Sequence, residues 1–380
     1  MKRKAAIITW CYDNGCSNYG QILQCYAMQC ICNKLDLDPI VVKYRDRTET
    51  EVIKNRFFVA YFNYIYEKRF IIKEVEKIYN KRIGLFFLFI KQYIHQSNPC
   101  YSKKDIELET KDCDILICGS DQIWNPLWFT PVYALNFGSD QQKRIAYAPS
   151  GIAEEDVFSQ KKYHELAGYL ERFDAISVRE KIGADILKKY TNKDVIDVLD
   201  PTFLVSPEEW DGVAAVELVK EPYIFCYSLG SIRPYKLILK RLMKRYGVSK
   251  VVYIPSNIVE SGIVNQGDFE KFEDVGPAEF LSLIKYAQAI CSDSFHGMAL
   301  SINYKKQFCI LERAQRGSSS IANEARKYNI LEKLHLENRK ISCIKDIEEL
   351  EDIDYTQIDK YLEENRNESW KFLKSALYND

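Results

Sequence analysis

The densest group of proton-moving side chains lies in Cys291-Ser292-Asp293-Ser294-Phe295-His296-Gly297. An apolar run from Ala289 to Cys291 precedes it and helical spacing follows, so this is a strand-to-helix turn. Histidine is the side chain best suited to move protons near neutral pH. Gly297 permits close backbone approach. A histidine capping its own helix is the rival reading of His296. The crowding of Ser292, Asp293, Ser294 and His296 into one turn favours chemistry.

Ligands of open α/β sheets bind outside the carboxyl ends of the strands, which singles out three further loops. Asn14-Gly15-Cys16-Ser17-Asn18-Tyr19-Gly20-Gln21 feeds a helix N-terminus, where free N–H groups and the dipole attract an anion. Asn18 also reads as a plain N-cap. The stretch is neither a G-x-G-x-x-G nor a Walker loop. Gly119-Ser120-Asp121-Gln122-Ile123-Trp124-Asn125 follows a strand directly. There Asp121 either takes a hydroxyl proton and orients a sugar, or caps the next turn. Trp124 either stacks on a sugar ring or seals the core. In Ser177-Val178-Arg179-Glu180, Arg179 stands at a strand end, placed to grip phosphate or carboxylate bidentately. Its structural alternative is an ion pair with Glu180 or Asp174.

These loops need a frame, and the chain of 380 residues is long enough for two domains. Strands are expected at Ala5–Trp10, Pro39–Tyr44, Cys113–Cys118, Arg144–Ala148, Ala175–Val178 and Val195–Leu199. A linker-like stretch, Asp200 to Pro207, follows. A second set begins at Tyr223–Tyr227 and continues with strands Val251–Ile254, Ala289–Cys291 and Gln307–Leu311. Helices fall between them at Pro234–Tyr246, at Ala278–Ala287 and from His296. Two βα-repeating halves predict an α/β fold with two Rossmann-like domains and the active site in the cleft between them. The domains are read as 1–205 and 206–350, with 351–380 a C-terminal helix returning to the first domain. Within the first, about 48–95 reads as an insertion of two or three amphipathic helices. Its aromatic residues alternate with Lys and Arg. They serve as a face packed on their own domain, or as a surface meeting a membrane or a lipid-linked substrate.

Lys plus Arg (53) nearly equals Asp plus Glu (54), so no global field draws in nucleic acid. Met1-Lys2-Arg3-Lys4 is followed by too short an apolar run for a signal peptide. No stretch reaches the ~20 apolar residues of a membrane span. The twelve cysteines are scattered and read as reduced thiols, several of them small core residues. The four histidines do not cluster, so no metal site is expected.

Taken in order, the loops resemble the polysaccharide pyruvyl transferase family. The residues that carry this are Asn18-Tyr19-Gly20 with Leu23-Gln24, Gly119 to Asn125, Tyr147-Ala148, Ser177 to Glu180, Asp200-Pro201-Thr202, and Ser294-Phe295-His296-Gly297. The resemblance implies a GT-B-like fold. It also implies transfer of the enolpyruvyl group of phosphoenolpyruvate onto two hydroxyls of a sugar as a pyruvate ketal. The acceptor would belong to a cell-surface polysaccharide or its lipid-linked precursor. Phosphoenolpyruvate is then a co-substrate and no cofactor is needed. The implied location is the cytoplasm or the inner face of the membrane, with peripheral membrane contact as an accompanying expectation.

By the same resemblance, His296 transfers a proton or contacts phosphate, Asp121 activates the acceptor hydroxyl, and Arg179 holds the donor. Asn18, Gly20, Ser120, Trp124, Ser294 and Gly297 complete the expected substrate-binding set. Some family members carry an arginine where this chain has Ser294. Lys305, Arg313 or Arg316 is expected to replace it, or the donor differs; Gly317-Ser318-Ser319-Ser320 beside Arg316 either adds hydroxyl and amide donors or is a flexible loop. Two rival readings stay open: a glycosyltransferase using a nucleotide sugar, and a non-catalytic polysaccharide-binding module.

Overall fold

Short runs such as Ile115-Leu116-Ile117-Cys118 and Ala289-Ile290-Cys291-Ser292 are buried at every position. A strand apolar on both faces needs cover on both, which is the situation of a parallel sheet between helices. The computed structural model describes residues 2–11, 18–45, 69–153, 156–230, 232–255, 267–312 and 327–378. It contains two such sheets.

The first sheet comprises β1 (Arg3–Ile8), β2 (Leu37–Val41), β3 (Ile115–Cys118), β4 (Lys143–Ala146), β5 (Ala175–Val178) and β6 (Val195–Asp197), in the order β2-β1-β3-β4-β5-β6. The second comprises β7 (Tyr223–Tyr227), β8 (Lys250–Tyr253), β9 (Phe269–Lys271), β10 (Ala289–Ser292), β11 (Gln307–Leu311) and β12 (Lys340–Ile341), in the order β12-β11-β10-β7-β8-β9. Every ladder is parallel. In the first sheet the chain leaves β1 for β2 and returns to β3 on the other side of β1. In the second it leaves β7 for β8 and β9, then returns to β10 on the far side of β7. Each reversal opens a crevice at the carboxyl ends of the flanking strands. The two crevices carry the Gly119–Asn125 loop and the Ser292–Gly297 turn. Both are the fold's natural ligand sites, and this is a GT-B-like architecture of two Rossmann-like halves.

Three helices tie the halves together. Helix α1 (Tyr19–Lys34) sends Tyr19 across the joint. Its ring stacks on Phe280 at 4.4 Å between centroids, and its hydroxyl donates to Val275 O at 2.8 Å. Helix α2 (Arg69–Tyr93) is a single helix of 25 residues, where two or three had been expected over 48–95; residues 48–68 of that expectation lie outside the described residues. Its Phe86, Phe89 and Ile90 are buried. Phe89 meets Tyr26 of α1, while Arg82 donates to Glu273 O and Pro255 O in the second half. The described part of α2 therefore packs against both halves, while the aromatic residues Phe57 to Tyr66 of the expected face lie outside the described residues. The C-terminal helix Tyr355–Tyr378 spans both as well. Arg366 donates to Phe203 O and Asn303 Oδ1, Ser369 Oγ accepts from Leu199 N, and Tyr378 OH donates to Leu35 O. Among the described residues no helix is long and apolar enough to cross a membrane. The described cysteines are free thiols, and most are buried.

Candidate active site

The site grows from the end of β6. Asp200 caps the 3-10 turn Pro201–Leu204, with Pro201 at a first-turn position that needs no N–H donor. Its Oδ1 accepts from Thr202 N at 3.0 Å and Thr202 Oγ1 at 2.7 Å. That fixes the carboxylate and turns Oδ2 toward the neighbouring strand ends. Oδ2 accepts from Arg179 Nη1 at 2.8 Å and lies 3.0 Å from Ser120 Oγ. Ser120 has one hydroxyl proton, and Ala148 O stands 2.7 Å away as its other acceptor.

Arg179 continues from β5 into the same pocket. Nε donates to Glu180 Oε1 at 3.0 Å and Nη2 to Ser150 Oγ at 2.7 Å, and Ser150 donates its own proton to Glu180 Oε1. The Phe295 ring covers the guanidinium at 4.2 Å, a cation–π contact from the other half. Burial opposes the charge of Arg179, but Glu180, Asp200 and Asp121 together raise its pKa above the ordinary value. The sequence offered Arg179 as an anion grip. In the structure three of its N–H groups go to Glu180, Asp200 and Ser150, the ion-pair alternative, and through them Arg179 holds Asp200 and the β4 exit in place. Asp174, the other ion-pair candidate, accepts from Arg144 N instead.

His296 enters from the second half. It is the second residue of helix α3 (Phe295–Asn303), and Ser294 caps that helix by accepting from Gly297 N. Gly297 is required there, because a Cβ would come within 2.5 Å of Ser292 Oγ. The ring of His296 lies against Gly20 at the start of α1; a Cβ on Gly20 would sit 2.0 Å from Nδ1. Nε2 is buried, has no hydrogen-bond partner among the described residues, and lies 3.8 Å from Asp200 Oδ2. Burial pushes the Asp200 carboxyl up, but His296 and Arg179 outweigh it and hold it well below the usual carboxylate range. The result is an unsatisfied imidazole nitrogen facing a fixed, ionised carboxylate across the joint of the two halves.

Around this pair the expected residues divide. Asn18 accepts from Gln21 N at 3.3 Å and caps α1. Ser120 N is held by Gln24 Oε1 at 3.1 Å, and Gln24 in turn donates to Thr9 Oγ1 and Gln21 O. Gln24 thus locks the β3 exit to α1. Asp121 adopts a left-handed φ of 68°, which Asp tolerates better than most residues. Its Oδ1 accepts from Gln122 N at 2.8 Å, and its charge reaches Arg179. Asp293 turns away from His296: it accepts from Leu229 N and Gly230 N and shapes the β7 exit. Trp124 is not a sugar platform here. It is 1% exposed, packs edge-on to Phe173, and donates its indole N–H to Tyr133 O. Lys305 pairs with Asp359 of the C-terminal helix. Arg316, Arg313, Gly317–Ser320 and the stretch 12–17 lie outside the described residues.

Asp200 itself received no role from the sequence, where Asp200–Pro207 read as a linker. The signal was present: an Asp followed by Pro and Thr at the end of an apolar run is an N-cap pattern at a strand exit. Glu180 had been offered as the ion-pair partner of Arg179, whereas Ser150 carried no comparable signal.

Two parallel six-stranded sheets, each with its own crevice, define a GT-B-type fold. Over residues 18–315 the sequence matches the model of the family described as "Polysaccharide pyruvyl transferase", and the chain belongs to that family. Among solved structures it is similar to UDP-GlcNAc 2-epimerase from Neisseria meningitidis bound to UDP-GlcNAc, with 11% identity, a TM-score of 0.54 and 100% of each chain covered. It is likewise similar to S. aureus MnaA in complex with UDP, with 12% identity, a TM-score of 0.52, and 100% of this chain and 96% of that one covered. At such identities the likeness is one of fold. No curated protein matches the sequence.

Proposed function

We propose that the protein transfers the pyruvyl group of phosphoenolpyruvate to a sugar of a cell-surface polysaccharide, or of its lipid-linked precursor, as a pyruvate ketal. Family membership supports pyruvyl transfer. The observation that carries the chemistry is the buried, unpartnered Nε2 of His296, 3.8 Å from Asp200. The reaction begins by adding a proton to the methylene carbon of phosphoenolpyruvate, which leaves an oxocarbenium-like centre at the adjacent carbon. His296 supplies that proton. Asp200, fixed by Thr202 and Arg179, faces the ring and orients it. A first sugar hydroxyl attacks the cationic carbon and loses its proton to Asp121. The second hydroxyl then displaces phosphate, which leaves with the remaining proton. The ketal keeps the pyruvate carboxylate, and no redox change occurs.

The N-terminus of α3 faces the same place, and its dipole favours the donor's phosphate. Arg316 is proposed as the cation that Ser294 does not provide. Incubation with phosphoenolpyruvate and a panel of lipid-linked and aryl glycosides, with released phosphate as the readout, tests the reading. Phosphate release with one acceptor class is expected. Binding and turnover of a UDP-sugar with no phosphate release from phosphoenolpyruvate would instead establish the glycosyltransferase reading. Sugar binding unchanged in His296→Ala, with no turnover of either donor, would establish the non-catalytic one.

A further inference from the structure

The helix Lys181–Leu187 begins directly after Arg179 and Glu180, and its first N–H groups need acceptors from outside the helix. Glu180 stands at the N-cap, where a side-chain oxygen normally takes one of them. Here Glu180 makes no cap bond. Its Oε1 accepts from Arg179 Nε at 3.0 Å and from Ser150 Oγ at 2.7 Å instead. The acceptor for Lys181 comes from the second half. Asn329 Oδ1 accepts from Lys181 N at 3.1 Å, and Asn329 Nδ2 donates to Arg179 O at 3.3 Å. One amide thus satisfies a donor and an acceptor on either side of Glu180. The two partners also fix which end of that amide is oxygen.

Residues 327–333 are helical, and Lys333 follows Asn329 by four positions, on the same side of the helix. Lys333 Nζ lies 2.6 Å from Asp197 Oδ2 at the end of β6. Ile330, between them, is buried. With Arg179, Asp200, Phe203 and Phe295 it encloses a cavity of ≈ 10 Å³, about the room of one water molecule. β5 delivers Arg179 and β6 delivers Asp200, so one helix of the second half grips the exits of both strands. Arg179 is held from that half on two sides, by Phe295 over its guanidinium and by Asn329 at its carbonyl. The Lys333–Asp197 pair is partly exposed and contributes little by itself. The Asn329 amide is the specific element.

We propose that Asn329 is a positioning residue. It caps the helix Lys181–Leu187 from across the joint, which leaves Glu180 to Arg179 and so fixes Asp200 opposite His296. That the pair held in this way delivers a proton rests on the pyruvyl-transfer reading. The cap across the joint does not.

The test uses the full chain and two readouts. Amide hydrogen exchange reports the cap. In Asn329→Ala the Lys181 amide should exchange about fivefold faster or more, the equivalent of a typical lost N-cap, with β3 and β10 unchanged. Asn329→Asp keeps the acceptor and loses the donor, so Lys181 should stay protected. Phosphate release from phosphoenolpyruvate reports the positioning. Asn329→Ala should lower kcat about ten- to a hundredfold with the KM for phosphoenolpyruvate nearly unchanged, as misplacement of a catalytic group does. Asn329→Asp should recover part of that loss. In an Asp200→Asn background the further loss from Asn329→Ala should be below about threefold, because the path to His296 is already cut. Should Asn329→Ala not fold, Asn329→Ser, whose side chain is too short to reach both groups, takes its place. Unchanged exchange at Lys181, a kcat within twofold of wild type, or an equal fold loss in the Asp200→Asn background would overturn the proposal. If the wild type releases no phosphate with any acceptor, the pyruvyl-transfer reading fails while the exchange result still decides the cap.

Discussion

Replacing Asp200 by Asn tests the centre of the site with almost no change of shape. The carboxylate accepts from Arg179 and twice from Thr202, and Oδ2 lies within hydrogen-bond reach of Ser120 Oγ. An amide offers one acceptor oxygen. If that oxygen stays with Thr202, the NH2 group faces Arg179 Nη1 donor to donor; if it flips, the cap is lost. Either way the guanidinium loses its Asp200 counter-charge and retains Glu180 and the more distant Asp121 in a site with 3% exposure. Removing one partner of a buried ion pair costs about 3–5 kcal/mol. Urea unfolding followed by the fluorescence of the buried Trp124 and Trp210 reads this directly. The carboxyl is held below its usual range when folded, so its contribution is complete above the unfolded pKa of about 3.9 and is lost as pH falls through the lower folded value. The gap between wild type and Asp200→Asn should therefore be constant near neutrality and close only in acid. For turnover, Asp200 is a positioning residue for His296. Its loss should lower kcat by about 10²–10⁴, with the KM for phosphoenolpyruvate changed far less. A stability loss below about 1 kcal/mol, or a kcat within twofold of wild type, would refute this account of the pair.

Other expectations follow from single contacts. Gly20→Ala places a methyl 2.0 Å from His296 Nδ1, so the ring or α1 must move; stability should fall by about 1–3 kcal/mol and turnover at least tenfold, measured by thermal unfolding and phosphate release. Trp124→Phe should leave acceptor KM unchanged and act on stability alone, since the indole is sealed in the core and bonded to Tyr133 O. Arg316→Ala should raise the KM for phosphoenolpyruvate tenfold or more with little effect on acceptor KM, as expected of a charge-assisted donor contact worth about 1.5–3 kcal/mol.

The sequence revealed what depends on local pattern. β5, β7 and β11 fall on the residues read as strands, because each is a buried apolar run bounded by polar turns. The edge strands β9 and β12 escaped, being three and two residues long with no apolar run to mark them. The same limit applies to the site. His296, Asp121 and Ser120 were legible from their places at strand ends. The internal commitment of Arg179 was not, because Ser150, Asp200 and Phe295 reach it from three other segments. Trp124 illustrates the converse: an aromatic in a polar loop is equally a platform or a plug, and only the position of Tyr133 decides. The need for glycine at position 20 also arises from the other half of the molecule, since the atom it makes room for belongs to His296.

The central claim is proton delivery to the donor's methylene carbon by His296, followed by ketal formation. Running the reaction in deuterated water and examining the product by NMR and mass spectrometry tests it most directly. The account predicts a ketal methyl group carrying a single solvent deuteron, phosphate released in equal amount, and loss of both in His296→Ala. A product without solvent deuterium in its methyl group, or one formed at the wild-type rate by His296→Ala, would contradict it.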